Sequence, residues 1–129
     1  MKKLLPLIFV LIMITACSAP NKKTEEMSYR RISMEEAAEM MQSDSTFIIV
    51  DVRRSDEFAE GHIPNAINIP NENIGEEEIP DLPDKNRIIM VYCRSGNRSK
   101  QASEKLVKLG YTNVIEFGGI MDWSGEIEK

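Results

Sequence analysis

Cysteine and histidine are scarce in this 129-residue chain, which holds two of the first, Cys17 and Cys93, and one of the second, His62. No Cys-x-x-Cys pair exists, which argues against dithiol oxidoreductase chemistry. A disulfide between Cys17 and Cys93 is not expected, because it would tie the N-terminal segment to the polar loop after Cys93 and silence that thiol. His62 tempts as a general base, yet it lies in Gly61-His62-Ile63-Pro64 and reads as a turn residue. Positive charge is also short: Asp and Glu outnumber Lys and Arg by 21 to 16, for a net charge of −5. Such a surface does not suggest nucleic acid as a partner, and a small anionic ligand would need a local positive site. Long apolar runs are missing too. The one candidate, Leu4 to Ile14, is interrupted by Pro6 and is too short to span a bilayer as a helix.

That run follows Lys2 and Lys3, the layout of a secretory signal. Its end, Ile14-Thr15-Ala16-Cys17, is similar to the cleavage box of bacterial lipoproteins. The similarity implies that residues 1–16 are a lipoprotein signal peptide and that Cys17 is acylated. Ordinary signal cleavage that leaves Cys17 free, or an uncleaved anchor, are the alternatives. Residues 18–28 are small and polar without apolar periodicity, so 17–28 read as the lipidated cysteine and a flexible tether. Residues 29–129 are enough for one domain. The protein is expected to be exported and lipid-anchored in a bacterial cell envelope, facing the periplasm or the extracytoplasmic side, and to act as a monomer.

Past the tether, short apolar runs alternate with helical patterns. Strands are expected over Tyr29–Ile32, Phe47–Val52, Ala66–Ile69, Arg87–Tyr92 and Thr112–Phe117. Helices are expected from a capping pattern at Ser33 and Glu36 through about Gln42, with Met34, Ala37, Ala38 and Met41 facing inward. A helical turn fits Ser55–Phe58, a helix fits Asn71 to about Glu77, and another fits Ser99–Leu109 with Gly110 as its stop. A last short helix opens at Gly119 and contains Trp123, read as a core aromatic, while Glu76, Glu77 and Glu78 read as a solvated face. This alternation predicts an α/β fold: a central, mainly parallel sheet with helices on both faces and ligands at the carboxyl ends of its strands.

One strand end carries chemistry. Cys93-Arg94-Ser95-Gly96-Asn97-Arg98-Ser99 follows the apolar run Ile88–Tyr92 and precedes a helix. Successive N–H groups can curl around an anion there, the helix dipole adds positive potential, and Arg94 and Arg98 add full charges. A thiol so placed should ionise easily and act as the nucleophile, with the loop Arg94, Ser95, Gly96, Asn97, Arg98 and Ser99 as its binding site. Gly96 is expected to supply backbone freedom. Arg94 is read as facing the substrate and Arg98 as holding the loop. A buried small hydrophobe is the duller reading of Cys93, and two arginines, serine, glycine and asparagine beside it would make poor core.

The loop resembles the active-site loop of the rhodanese family of sulfurtransferases. Asp51-Val52-Arg53, Glu57-Phe58 and Gly61-His62-Ile63-Pro64-Asn65-Ala66-Ile67-Asn68-Ile69-Pro70 are similar, in order, to the family's first signature, and Gly118-Gly119-Ile120-Met121-Asp122-Trp123 to its second. Asn65 stands where glycine is commoner, which suggests a left-handed backbone there. The resemblance spans roughly residues 30–127. It implies a single rhodanese-like domain and a double displacement: Cys93 thiolate takes the outer sulfur of a donor such as thiosulfate, and the persulfide passes it to cyanide or a thiol. No metal or organic cofactor is required. Asp51 and Arg53 are read as structural support behind the loop.

Two other classes compete. A cysteine phosphatase would cradle phosphate in Cys-x5-Arg, whereas four residues separate Cys93 from Arg98. A tethered, non-catalytic binding or sensing module would not need the intact cysteine and Gly96.

Overall fold

A computed structural model describes residues 28–43 and 46–129. The expected signal peptide, the lipidation site at Cys17 and all of the tether but Ser28 lie outside the described residues. The elements are β1 (Arg30–Arg31), α1 (Met34–Ser43), β2 (Phe47–Asp51), α2 (Ser55–Glu60), β3 (Ile67–Asn68), β4 (Ile88–Cys93), α3 (Asn97–Lys108) and β5 (Val114–Gly119). The five strands form one sheet in the order β1-β5-β4-β2-β3, with every pairing parallel. The expected α/β class and all five strands are therefore present.

Period-two alternation sorts the strand side chains onto two cores. Ile89, Val91 and Cys93 of β4 join Ala102 and Leu106 of α3 in one cluster. Met90 and Tyr92 join Ala37 of α1, Ile63 and Phe117 in the other. Helices thus cover both faces. Two of the three inner strands, β2 and β4, lie side by side, and the chain leaves them toward opposite edges of the sheet. Their carboxyl ends form the crevice where such sheets bind ligands, and Asp51 and Cys93 are the residues that end them.

Local chemistry fixes the boundaries. The N–H of Glu36 donates to Ser33 Oγ at 3.1 Å, capping α1 as its sequence predicts. α3 ends in a Schellman turn: Tyr111 N–H reaches Leu106 O at 3.1 Å, Gly110 N–H reaches Val107 O at 3.0 Å, and Gly110 takes φ +98°. Asn65 is left-handed at φ +67°, as its place in the turn suggests.

Three expectations are corrected. The helix expected from Asn71 to about Glu77 is a single 3-10 turn, Asn71–Asn73. Ile74 leaves it in extended backbone and drops into the core at 2% exposure, so burial of one apolar side chain ends the turn. The last helix is likewise one 3-10 turn, Ile120–Asp122, with Trp123 just after it. α3 begins at Asn97 rather than Ser99, because Gly96 at φ +109° reverses the chain in one residue. Met40 also packs on the core beside Met34 and Met41, an addition to the expected inner face of α1.

Candidate active site

Cys93 ends β4 and is 1% exposed. The N–H of Gly96 donates to its sulfur at 2.9 Å, a contact that needs the positive φ of Gly96. The Ser99 hydroxyl lies 3.4 Å from the same sulfur. Ser99 sits in the first turn of α3, fully buried, so helix and strand meet at this thiol. Gly96 is buried, while Arg94, Ser95 and Asn97 face solvent.

The two arginines part company. Arg98 donates to both carboxylate oxygens of Glu57, at 2.7 and 3.1 Å, and bridges α3 to α2. Those hydrogen bonds hold the Glu57 carboxyl below the usual carboxylate range and keep the guanidinium more firmly charged. Arg94 is exposed and lines the mouth of a cavity of about 460 Å³ together with Arg53, Arg54, Glu57, Arg98 and Met121. A larger cavity of about 640 Å³ opens elsewhere, between α1 and Trp123, and buried Cys93 is among the lining residues of neither.

Asp51 and Arg53 form a buried pair behind the loop. Arg53 Nη2 donates to Asp51 at 2.7 Å and to Gly61 O at 2.7 Å, and the guanidinium carbon lies 5.9 Å from the centre of the Tyr92 ring. Burial, with Asp51 nearby, pushes the Tyr92 phenol strongly up, and its oxygen accepts the N–H of Ile63 at 3.1 Å. Both ends of this network anchor the turn Gly61–Pro64. His62 stacks on Phe58 with ring centres 3.8 Å apart, and its backbone pairs with Glu128. It stands as the turn residue its sequence suggests.

Four participants have contacts that a reading from sequence does not show, and one of them, Glu116, is not singled out there at all. Glu57 is visible there only as part of a family signature, and no periodicity points to Arg98 as its partner. Gly119 lies so close to the loop that a Cβ at that position would collide with the backbone of Arg94 and Ser95. Met121 N–H donates to Arg94 O at 3.2 Å, so the second glycine signature straps the loop. Glu116 is fully buried in β5, where Ser99 Oγ donates to its Oε1 at 2.7 Å and Arg31 Nε to its Oε2 at 3.0 Å. The available signal was a carboxylate in a strand covered on both faces, where no alternation can send it to water.

A family model for the rhodanese-like domain matches residues 33–126. The thiosulfate sulfurtransferase PspE of Escherichia coli is 41% identical over 73 residues, 57% of this chain and 70% of that protein. The putative sulfurtransferase YtwF of Bacillus subtilis is 35% identical over 100 residues, 78% of this chain and 95% of that protein. This chain spans only about a quarter of longer yeast relatives that combine an adenylyltransferase with a sulfurtransferase. A solved rhodanese with anions from Escherichia coli superimposes with a TM-score of 0.59 at 37% identity, covering 64% of this chain and 98% of that one. The chain belongs to the rhodanese family and carries one rhodanese-like α/β domain of the sulfurtransferase type.

Proposed function

We propose that Cys93 carries sulfane sulfur as a persulfide between an anionic donor and a thiophilic acceptor. The observation that carries this reading is the sulfur of Cys93, held at the carboxyl end of the central strand against the Gly96 N–H at 2.9 Å, in a loop flanked by two arginines. The Cys93 thiolate attacks the outer sulfur of thiosulfate. The donor's S–S bond breaks, its electron pair leaves with sulfite, and a Cys93–S–S⁻ persulfide forms. Cyanide or a thiolate then attacks the terminal sulfur and the Cys93 thiolate is regenerated. Exposed Arg94 at the cavity mouth steers the sulfonate end on an otherwise acidic surface. The name of the thiosulfate sulfurtransferase PspE and the anions in the Escherichia coli rhodanese favour such a donor.

Arg98 argues against the phosphatase alternative. A phosphate cradle needs its arginine turned inward, and here that side chain is committed to Glu57. Sulfite release from thiosulfate with cyanide as acceptor tests the proposal. The wild type should turn over and Cys93→Ser should not; turnover in the mutant would remove the Cys93 persulfide, and none in the wild type would leave the binding-module alternative.

We also propose that the domain is tethered through acylated Cys17 to the extracytoplasmic face of the envelope, because the Ile14–Cys17 box follows a short apolar segment that begins after two lysines. The wild type should partition into detergent and Cys17→Ala should not. Equal partitioning of both into water would remove the anchor.

A further inference from the structure

One fully buried carboxylate in this domain is a group that the proposed sulfur transfer does not use. Glu116 is fully buried in the middle of β5, between Ile115 and Phe117, which are buried as well. Withdrawing a carboxylate from water is costly unless partners offset it. Its partners form a line rather than a shell. Arg31 on β1, with its side chain 60% exposed, meets Oε2 at 3.0 Å, while the Gly118 N–H at 2.9 Å and the Ser99 hydroxyl at 2.7 Å meet Oε1. Beyond Ser99, at 3.4 Å, lies the sulfur of Cys93. Strand alternation places Val114 and Glu116 on the face of the sheet that carries Cys93 and α3, so the line runs straight from thiol to carboxylate.

We propose that Glu116 accepts the proton of Cys93 through the Ser99 hydroxyl. The Cys93 S–H bond breaks as its proton moves to Ser99 Oγ, and the Ser99 O–H bond breaks as that proton moves to Glu116 Oε1. The products are a thiolate, a serine hydroxyl that now donates to sulfur, and a neutral carboxylic acid. The cluster keeps a single negative charge throughout. That charge moves onto the nucleophile, and a buried carboxylate no longer opposes an incoming dianion at short range. The inference rests on Cys93 acting as the nucleophile. It concerns only where the thiol proton goes.

Several fixed charges face the pair and set the background on which it titrates. Arg31 approaches from β1, and Arg98 with its Glu57 partner from α3 and α2. Arg94 stands on the loop itself. All of them remain in the variants below, so differences among those variants report on Glu116 and Ser99.

Alkylation of Cys93 by iodoacetamide, without any sulfur donor, is measured against pH for the wild type, Glu116→Gln and Ser99→Ala, each checked for native circular dichroism. Shared protons titrate in two steps. The wild type should therefore show a first rise in rate at low pH and a second above it, while each variant shows a single rise. Glu116→Gln, in which no carboxylate opposes the thiolate, should alkylate at least as fast as the wild type. Infrared difference spectra of the wild type provide a second readout that requires no stable mutant: ionising the thiol should create a carboxylic-acid carbonyl band, absent from Cys93→Ser. Coincident pH profiles, slower alkylation in Glu116→Gln, or the absence of that band would overturn the relay. Because no thiosulfate is present, such a failure is separate from a failure of sulfite release.

Discussion

Arg94 and Arg98 belong to one seven-residue loop, yet their surroundings assign them opposite work. Arg98 is half-buried and held by both oxygens of Glu57, whereas Arg94 projects to solvent at the cavity mouth with its carbonyl pinned by Met121. The first arginine is part of the wall and the second faces whatever arrives. Two cations four residues apart thus differ because an acid lies across from one of them, on a helix 41 positions earlier in the chain. Charge in a sequence shows that a site is positive; the fold decides which charge is spent inside it.

The comparison breaks most sharply if the backbone beneath Arg94 is moved. Gly119→Ala sets a methyl group against the Arg94 carbonyl and the Ser95 nitrogen, so the loop must shift. Displacement near 1 Å costs about a hundredfold in rate, and sulfite release should fall by that much or more while the fold persists by circular dichroism. Activity near wild type would show that the strap does not position the loop.

Arg98→Ala should come next. Losing its bidentate contact with Glu57 frees the loop that carries Cys93, and because Arg98 holds the loop rather than the donor, the loss should fall on kcat, by about tenfold or more, with slower alkylation of Cys93 at pH 7. Arg94→Ala should raise KM for thiosulfate about tenfold with little change in kcat, since an exposed charge acts through attraction that salt screens. Iodoacetamide, which is neutral, should not distinguish Arg94→Ala from the wild type. Identical profiles for the two variants would dissolve the division between them.

Much of this division was legible in the chain. The strand-loop-helix pattern around Cys93, the left-handed Asn65, the C-terminal stop at Gly110 and the structural role of His62 all follow from local chemistry that operates within a few residues. The partners of Arg98 and Ser99 do not. Glu57 lies 41 positions away and Glu116 17, and only the crossover topology brings them beside α3. The helix expected beyond Asn73 failed for a related reason: its propensity lost to the burial of Ile74 against a core that local sequence does not display.

The smallest expected effect concerns stability. Arg98 lowers the folded pKa of Glu57, so the ionised pair stabilises the fold above the ordinary carboxylate pKa, about 4.3, and that contribution fades as pH falls through the lower folded value. Glu57→Gln should therefore melt below the wild type at pH 7. The pair is partly exposed, which limits its worth to about 1 kcal/mol, or about 4–8 °C in a domain of this size. The gap should close as pH falls below about 4; a gap that persists at pH 3 would assign the effect to packing instead of charge.

The persulfide itself is the central claim, and intact-mass spectrometry of the purified protein after incubation with thiosulfate reads it directly. The account predicts a gain of one sulfur, roughly 32 Da, on Cys93, removed by cyanide and absent from Cys93→Ser, because that adduct is the obligatory covalent intermediate. An unchanged wild-type mass, or the same gain in Cys93→Ser, would contradict it.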